Sequence, residues 1–239
     1  MAFENLKPEL DKWYAMTCTR DFIIKDPVQF PHRFSKREDI EIAAFLTATI
    51  AWGRRDLILR SAEKMYAIMG ARPYDYVMSG NFSKLKNNNI HRTFFENDLK
   101  YFCRGFKHCY TKYNSLEKIF SASSDIWQGI AAFREEMAAA NKGCCSKHLA
   151  DPANSACKRI NLALRWLVRK GPVDLGIWTK IKPAALYIPL DVHVARTARK
   201  LGLLDRKSND KKAVLLLTEK LRIFNPGDPV KYDYALFAM

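Results

Sequence analysis

The chain has 239 residues, 48% apolar and 12% aromatic, which places it among globular proteins with room for one large core or two small ones. No run of eighteen apolar residues occurs, and the opening Met-Ala-Phe-Glu-Asn-Leu-Lys lacks the charged-then-apolar order of a secretory signal. Neither a membrane span nor export is therefore expected, and the chain reads as cytoplasmic. The net charge of +15 is uneven, because residues 142–239 carry 19 basic and 8 acidic side chains (+11) against 21 and 17 (+4) in residues 1–141. A field of that sign favours nucleic acid over an anionic membrane surface, since no basic segment is coupled to an exposed apolar face.

Helical periodicity dominates and no strand-like alternation persists, so an all-α fold is expected. Residues 8–19 read as a first helix with Leu10, Trp13, Tyr14 and Cys18 on its apolar side. The two prolines of Asp26-Pro-Val-Gln-Phe-Pro-His-Arg-Phe34 exclude a continuous helix there. Ser35-Lys-Arg-Glu38 has the pattern of a capping box, and an apolar helix from Ile40 to Trp52 follows. Gly53-Arg-Arg-Asp56 interrupts it before an amphipathic helix with Ile58, Ala62, Met65 and Ile68 at core spacing. Further helices are expected at about 91–112, 114–121 and 124–140.

The basic part starts near Asn141. Its helix at about 156–169 has an apolar stripe of Ile160, Ala163, Leu164, Leu167 and Val168. The opposite stripe of Lys158, Asn161, Arg165 and Arg169 is expected to face away from the core. Residues 173–190, with two prolines and two short apolar clusters, suit a compact helical hairpin. A helix over 191–201 ends at Gly202, Ser208-Asn-Asp210 caps the next from Lys211 to Phe224, and Asp228-Pro229 opens the last.

Asp191 stands just after a proline at the mouth of the basic helix, in Ile188-Pro-Leu-Asp-Val-His-Val-Ala-Arg196. An acid among cations is a candidate for chemistry on an anionic substrate. The same position suits an N-cap, and the two roles coexist. Lys158 is its possible partner, whereas His193 reads as a buried hydrogen-bonding residue.

The six cysteines form no paired C-x-x-C set, so reduced thiols are expected. Cys144-Cys145 beside Lys147 and His148 offers metal-ligating residue types, but adjacent cysteines do not easily share one tetrahedral ion, and no metal is expected.

Pro189-Leu-Asp-Val-His193, following a hairpin-like segment, resembles the motif around the catalytic aspartate of the helix-hairpin-helix DNA glycosylase superfamily. The chain resembles more closely an uncharacterised bacterial family of glycosylase-like proteins, through Asp26 to Phe34, Cys157-Lys-Arg-Ile-Asn161, Leu164-Arg-Trp-Leu-Val-Arg169, Pro189 to His193 and Asp228-Pro-Val-Lys-Tyr-Asp-Tyr234. The superfamily's usual Leu-Pro-Gly-Val-Gly hairpin is missing, and the layout is similar to the archaeal 8-oxoguanine glycosylase branch, whose lysine lies a helix and a hairpin ahead of its aspartate. That resemblance implies a two-lobed fold with a DNA cleft between the lobes, residues 36–155 forming a helical bundle and 1–35 joining 156–239 in a basic lobe. It implies Lys158 and Asp191 as the catalytic pair, with Lys170 and Lys182 as alternatives for the lysine. No cofactor is expected, because related branches place the four cysteines of an iron-sulfur cluster after the final helix and this sequence ends first.

The resemblance further implies a bifunctional glycosylase that excises an oxidised purine such as 8-oxoguanine from double-stranded DNA. Breaking the C1′–N bond passes through a cation-like sugar, which a carboxylate stabilises; Asp191 takes that role. A neutral Lys158 amine would form a Schiff base, its pKa pushed down by desolvation and by Arg159 and Arg165. The flipped base needs an aromatic face, for which Trp52 is the first candidate and Trp166 and Trp178 follow. Arg54, Arg55, Arg159, Arg165, Lys180, Lys182, Arg196, Arg199 and Lys200 are candidate DNA contacts. The competing reading is a non-catalytic DNA- or RNA-binding protein that keeps the fold.

Overall fold

The helical periodicity of the sequence is realised through most of the chain. The computed structural model describes residues 6–239, and their only strands form a short antiparallel pair, β1 (Asn89–His91) with β2 (Phe94–Phe95). The chain divides into two compact units, one made of Met1–Ile24 with Asp151–Met239 and the other of Lys25–Ala150. The boundaries lie eleven and five residues earlier than the expected 36 and 155, for local reasons. Residues 25–35 join the bundle because Phe30 is fully buried and stacks on Tyr66 at 5.3 Å, while Arg33 pairs with Glu63. Residues 151–155 join the basic unit because the Asn154 carbonyl accepts from Lys211 N at 3.0 Å and Ser155 bridges to Asp210.

The basic unit begins with α1 (Leu6–Thr17) and α2 (Arg20–Lys25). In the bundle unit, the two prolines of the next segment open two 3-10 turns, Pro27–Gln29 and Pro31–Arg33. Helix α3 (Arg37–Ile50) follows, buried without interruption from Ile40 to Ile50, the mark of a helix surrounded by its neighbours. The capping box does not form: the N-cap is Lys36, one residue later than Ser35, and makes no side-chain cap bond.

Around α3 stand α4 (Arg55–Ile68), α5 (Pro73–Ser79), α6 (Glu96–Tyr113), α7 (Glu117–Ser121) and α8 (Ile126–Ala139). Their core is aromatic, with Phe45 stacked against Phe120 at 5.7 Å and Phe133 at 4.9 Å. The α6 expected from residue 91 starts at Glu96, because residues 89–95 pair as strands. Glu96 accepts from the amides of Lys86, Asn87 and Asn88, which hold its carboxyl at about 2.

The basic unit resumes with α9 (Lys158–Val168), α10 (Val192–Lys200), α11 (Lys211–Phe224), a 3-10 turn at Pro229–Lys231 and α12 (Tyr232–Ala238). Helix α12 packs on α1 and α10. The hairpin expected over 173–190 is not helical: the stretch is irregular apart from one 3-10 turn, Pro183–Ala185. Its backbone instead serves the end of α9. Leu175 N donates to Trp166 O at 2.8 Å and Trp178 N to Leu167 O at 2.9 Å, satisfying carbonyls that a helix end leaves open. That return needs Gly176, whose φ is +59° and where a Cβ would lie 2.8 Å from Lys170 Cα. Among the described residues, no helix is long and apolar enough to cross a membrane.

Candidate functional site

The polar stripe of α9 is the feature from which the site is built, and most of it turns inward. Asn161, Arg165 and Arg169 are 1%, 4% and 2% exposed, so the expectation that this stripe faces away from the core is overturned. Buried guanidiniums require partners, and acids from later in the chain supply them. Arg165 contacts Asp233 and donates from Nε to Asp174 at 3.3 Å. Arg169 contacts Asp174 and donates from Nε to Asp228 at 2.8 Å. Tyr234 donates to Asp174 at 2.8 Å, and Arg165 lies 4.1 Å from the centre of its ring. Arg165 is thus a structural cation, not a phosphate contact. Its charge is answered by carboxylates instead of being directed at Lys158.

Lys158 opens α9 directly after Cys157, whose φ of +46° is the left-handed turn that admits the chain to the helix. The lysine is half-buried. Asp191 caps α10 as the sequence predicts, in extended backbone, with its Oδ1 accepting from Val194 N at 2.9 Å. It too is half-buried.

A second acid of the basic unit, Asp233, lies on α12. It is 6% exposed, and burial above all, together with the nearby charges of Asp191 and Asp174, pushes its carboxyl up to about 7; Arg165 and Lys158 pull the other way. One buried acid is therefore within electrostatic reach of both Lys158 and Asp191, which the sequence separates by 33 positions. Asp233, within Tyr232-Asp-Tyr-Ala-Leu-Phe237, is not among the candidates that the sequence pattern singles out. An acid in an otherwise apolar helix was the available signal.

The remaining candidates separate by exposure. Arg196, Lys200, Lys180 and Lys182 are exposed on the basic unit, as is Lys170. Arg159 is half-buried, and burial lowers its pKa. Arg199 is bound to its own loop, donating to the carbonyls of Arg206 and Lys207 at 2.9 and 2.8 Å and to Asn209 Oδ1 at 2.5 Å. Trp166 and Trp178 are 1% and 2% exposed, so neither offers a face to a flipped base. His193, expected inside, is exposed beside Arg196 and the Phe237 ring.

Trp52, Arg54 and Arg55 belong to the bundle unit. Trp52 is half-buried, stacked on His148 at 5.5 Å and edge-on to His91 at 4.6 Å, while Arg54 pairs with Asp56. His148 is buried against Trp52, and Cys144 and Cys145 are exposed free thiols. Among the described residues, no group of three or more His, Cys, Asp and Glu side chains converges as a metal site would.

Fold and site together define a mostly helical protein of two units whose basic unit holds a lysine and two carboxylates in one electrostatic neighbourhood. The chain belongs to the family described as "Protein of unknown function (DUF2400)", whose model matches residues 26–239. Comparison with the curated proteins and with the solved structures gives no match.

Proposed function

We propose that this protein is a DNA repair glycosylase with lyase activity, acting on an oxidised purine such as 8-oxoguanine in double-stranded DNA. The observation that carries the reading is that Lys158 opens α9 and Asp191 caps α10, both half-buried within the one basic unit. A lysine and a carboxylate at one sugar suffice for the reaction. The Lys158 amine forms a bond to C1′ as the C1′–N bond breaks and the base departs with the electron pair. Asp191, the more open carboxylate, stabilises the cation-like sugar and takes the proton released by the attacking amine. Exposed Arg196, Lys200, Lys180 and Lys182 hold the phosphates and position the duplex without reading its sequence. The two-lobed glycosylase-like arrangement, with Trp52 as the aromatic face for the base, is part of the same proposal.

Borohydride trapping tests it. A duplex carrying 8-oxoguanine is expected to give base release and a reduced covalent adduct, whereas neither product with any oxidised-base duplex would overturn the reading. The alternative, a non-catalytic DNA- or RNA-binding protein, draws on the Asp191 N-cap, which accounts for that residue without chemistry. Asp191→Asn separates the two: turnover lost with binding retained favours the enzyme.

A further inference from the structure

We propose that Cys144 and Cys145 are a reversible redox site, which closes to a vicinal disulfide when hydrogen peroxide reaches it. The proposal goes beyond the glycosylase reading and does not depend on it. These two side chains are neighbours in sequence and both are exposed free thiols, whereas Cys18, Cys103, Cys109 and Cys157 are buried. Of the six cysteines, this pair is the one open to an oxidant arriving from solvent.

The loop that carries the pair follows α8 in the bundle unit, and it is held at both ends and open between them. At its start Asn141, 8% exposed, donates from Nδ2 to the carbonyls of Tyr101 at 3.0 Å and Met137 at 2.8 Å. At its end His148 is buried, stacked on the Trp52 ring, with its Nε2 3.1 Å from the Thr93 carbonyl oxygen. Between these anchors residues 142–145 are exposed, as is Lys147. Gly143 has a φ of +79° and nothing within 4 Å of its Cβ position, so the backbone entering the pair has room to turn.

The oxidation balances within the pair and one molecule of peroxide. One thiolate attacks a peroxide oxygen, the O–O bond breaks, and the sulfur becomes a sulfenic acid while the departing oxygen takes a proton. The adjacent thiolate then attacks that sulfur, the S–O bond breaks and hydroxide leaves as the S–S bond forms. In total the two thiols give up two electrons and two protons, and the peroxide becomes two waters. Adjacent Cα atoms stand about 3.8 Å apart, closer than the roughly 4.4–6.8 Å of ordinary disulfides, so the closed ring is strained and readily reduced. A bond of that kind is one that a small thiol reopens, unlike a structural crosslink.

The test reads one peptide. The full chain is treated with equimolar hydrogen peroxide, remaining thiols are blocked with iodoacetamide, and trypsin cuts after Lys142 and Lys147 to release residues 143–147 with both cysteines. Tandem mass spectrometry is expected to find this peptide two hydrogens lighter than the dithiol and unlabelled. Treatment with reduced glutathione before blocking is expected to return it as the doubly labelled dithiol. In Cys144→Ser and Cys145→Ser the partner is gone, so at least one of the two is expected to stop at a sulfenic acid that dimedone captures, whereas wild-type protein gives no such adduct there. A doubly labelled peptide after peroxide, sulfinic or sulfonic acid on either cysteine, disulfides only to other molecules, or a ring that glutathione leaves closed would each overturn the proposal. So would dimedone capture in the wild-type protein, or none in either variant.

Discussion

Arg165 of α9 and Asp233 of α12 lie 68 residues apart in the chain and meet in an ion pair from which solvent is excluded. Asp174 reaches Arg165 and Arg169 together, so three segments of the basic unit are tied by one network of charges. Burial inside that network raises the proton affinity of Asp233, against the pull of Arg165.

Removing Asp174 strands two buried guanidiniums at once. Asp174→Ala is expected to lower the unfolding free energy by about 3–5 kcal/mol, the cost of breaking a buried pair by taking one partner. Urea unfolding checks this, and a loss below about 1 kcal/mol, the scale of an exposed pair, would show that solvent reaches the cations.

The turn after α9 depends on a residue without a side chain. Gly176→Ala combines a positive φ with a Cβ 2.8 Å from Lys170 Cα, whereas Gly143, also at positive φ (+79°), has nothing within 4 Å of its Cβ position. Gly143→Ala is expected to cost about 1 kcal/mol, the conformational penalty alone, and Gly176→Ala distinctly more. Paired thermal melts of the two variants give the comparison.

The raised carboxyl of Asp233 predicts a stability dependence of definite sign. Its folded pKa of about 7 lies above its ordinary value of 3.8, so the folded state binds the proton more tightly than the unfolded chain. That contribution is fully present below about pH 4 and is lost as pH rises through 7. Asp233→Asn should flatten the fall in stability between those pH values, as read by chemical unfolding at a series of pH values. An identical slope in the two proteins would contradict the assignment.

The cations of α10 are expected to behave differently according to exposure. Arg196→Ala and Lys200→Ala should each reduce the slope of log affinity against log salt by about 0.9 on duplex DNA. Arg199→Ala should leave that slope unchanged and lower the melting temperature, because its guanidinium holds the loop after α10.

Much of this was legible from local sequence. Pro189-Leu-Asp191 announced a helix cap, Asp210 announced another, and both side chains accept from the amide three residues on. Periodicity also picked out the polar face of α9. It could not say that this face is covered, because the acids that neutralise Arg165 and Arg169 arrive from residues 174, 228 and 233, and pattern within one helix carries no information about them. For the same reason Asp233 was invisible as a partner of Arg165. Residues 173–190 misled differently: their two prolines and short apolar clusters suited a helical hairpin, but the open carbonyls at the end of α9 accept from Leu175 and Trp178 and hold the backbone in an irregular return.

The most direct test of the central claim is the identity of the residue that becomes covalently attached to DNA. Protein reacted with an 8-oxoguanine duplex, reduced with borohydride and digested should yield, by tandem mass spectrometry, a sugar-modified peptide with the label on Lys158. A label on Lys170 or Lys182, or no labelled peptide at all, would contradict the account.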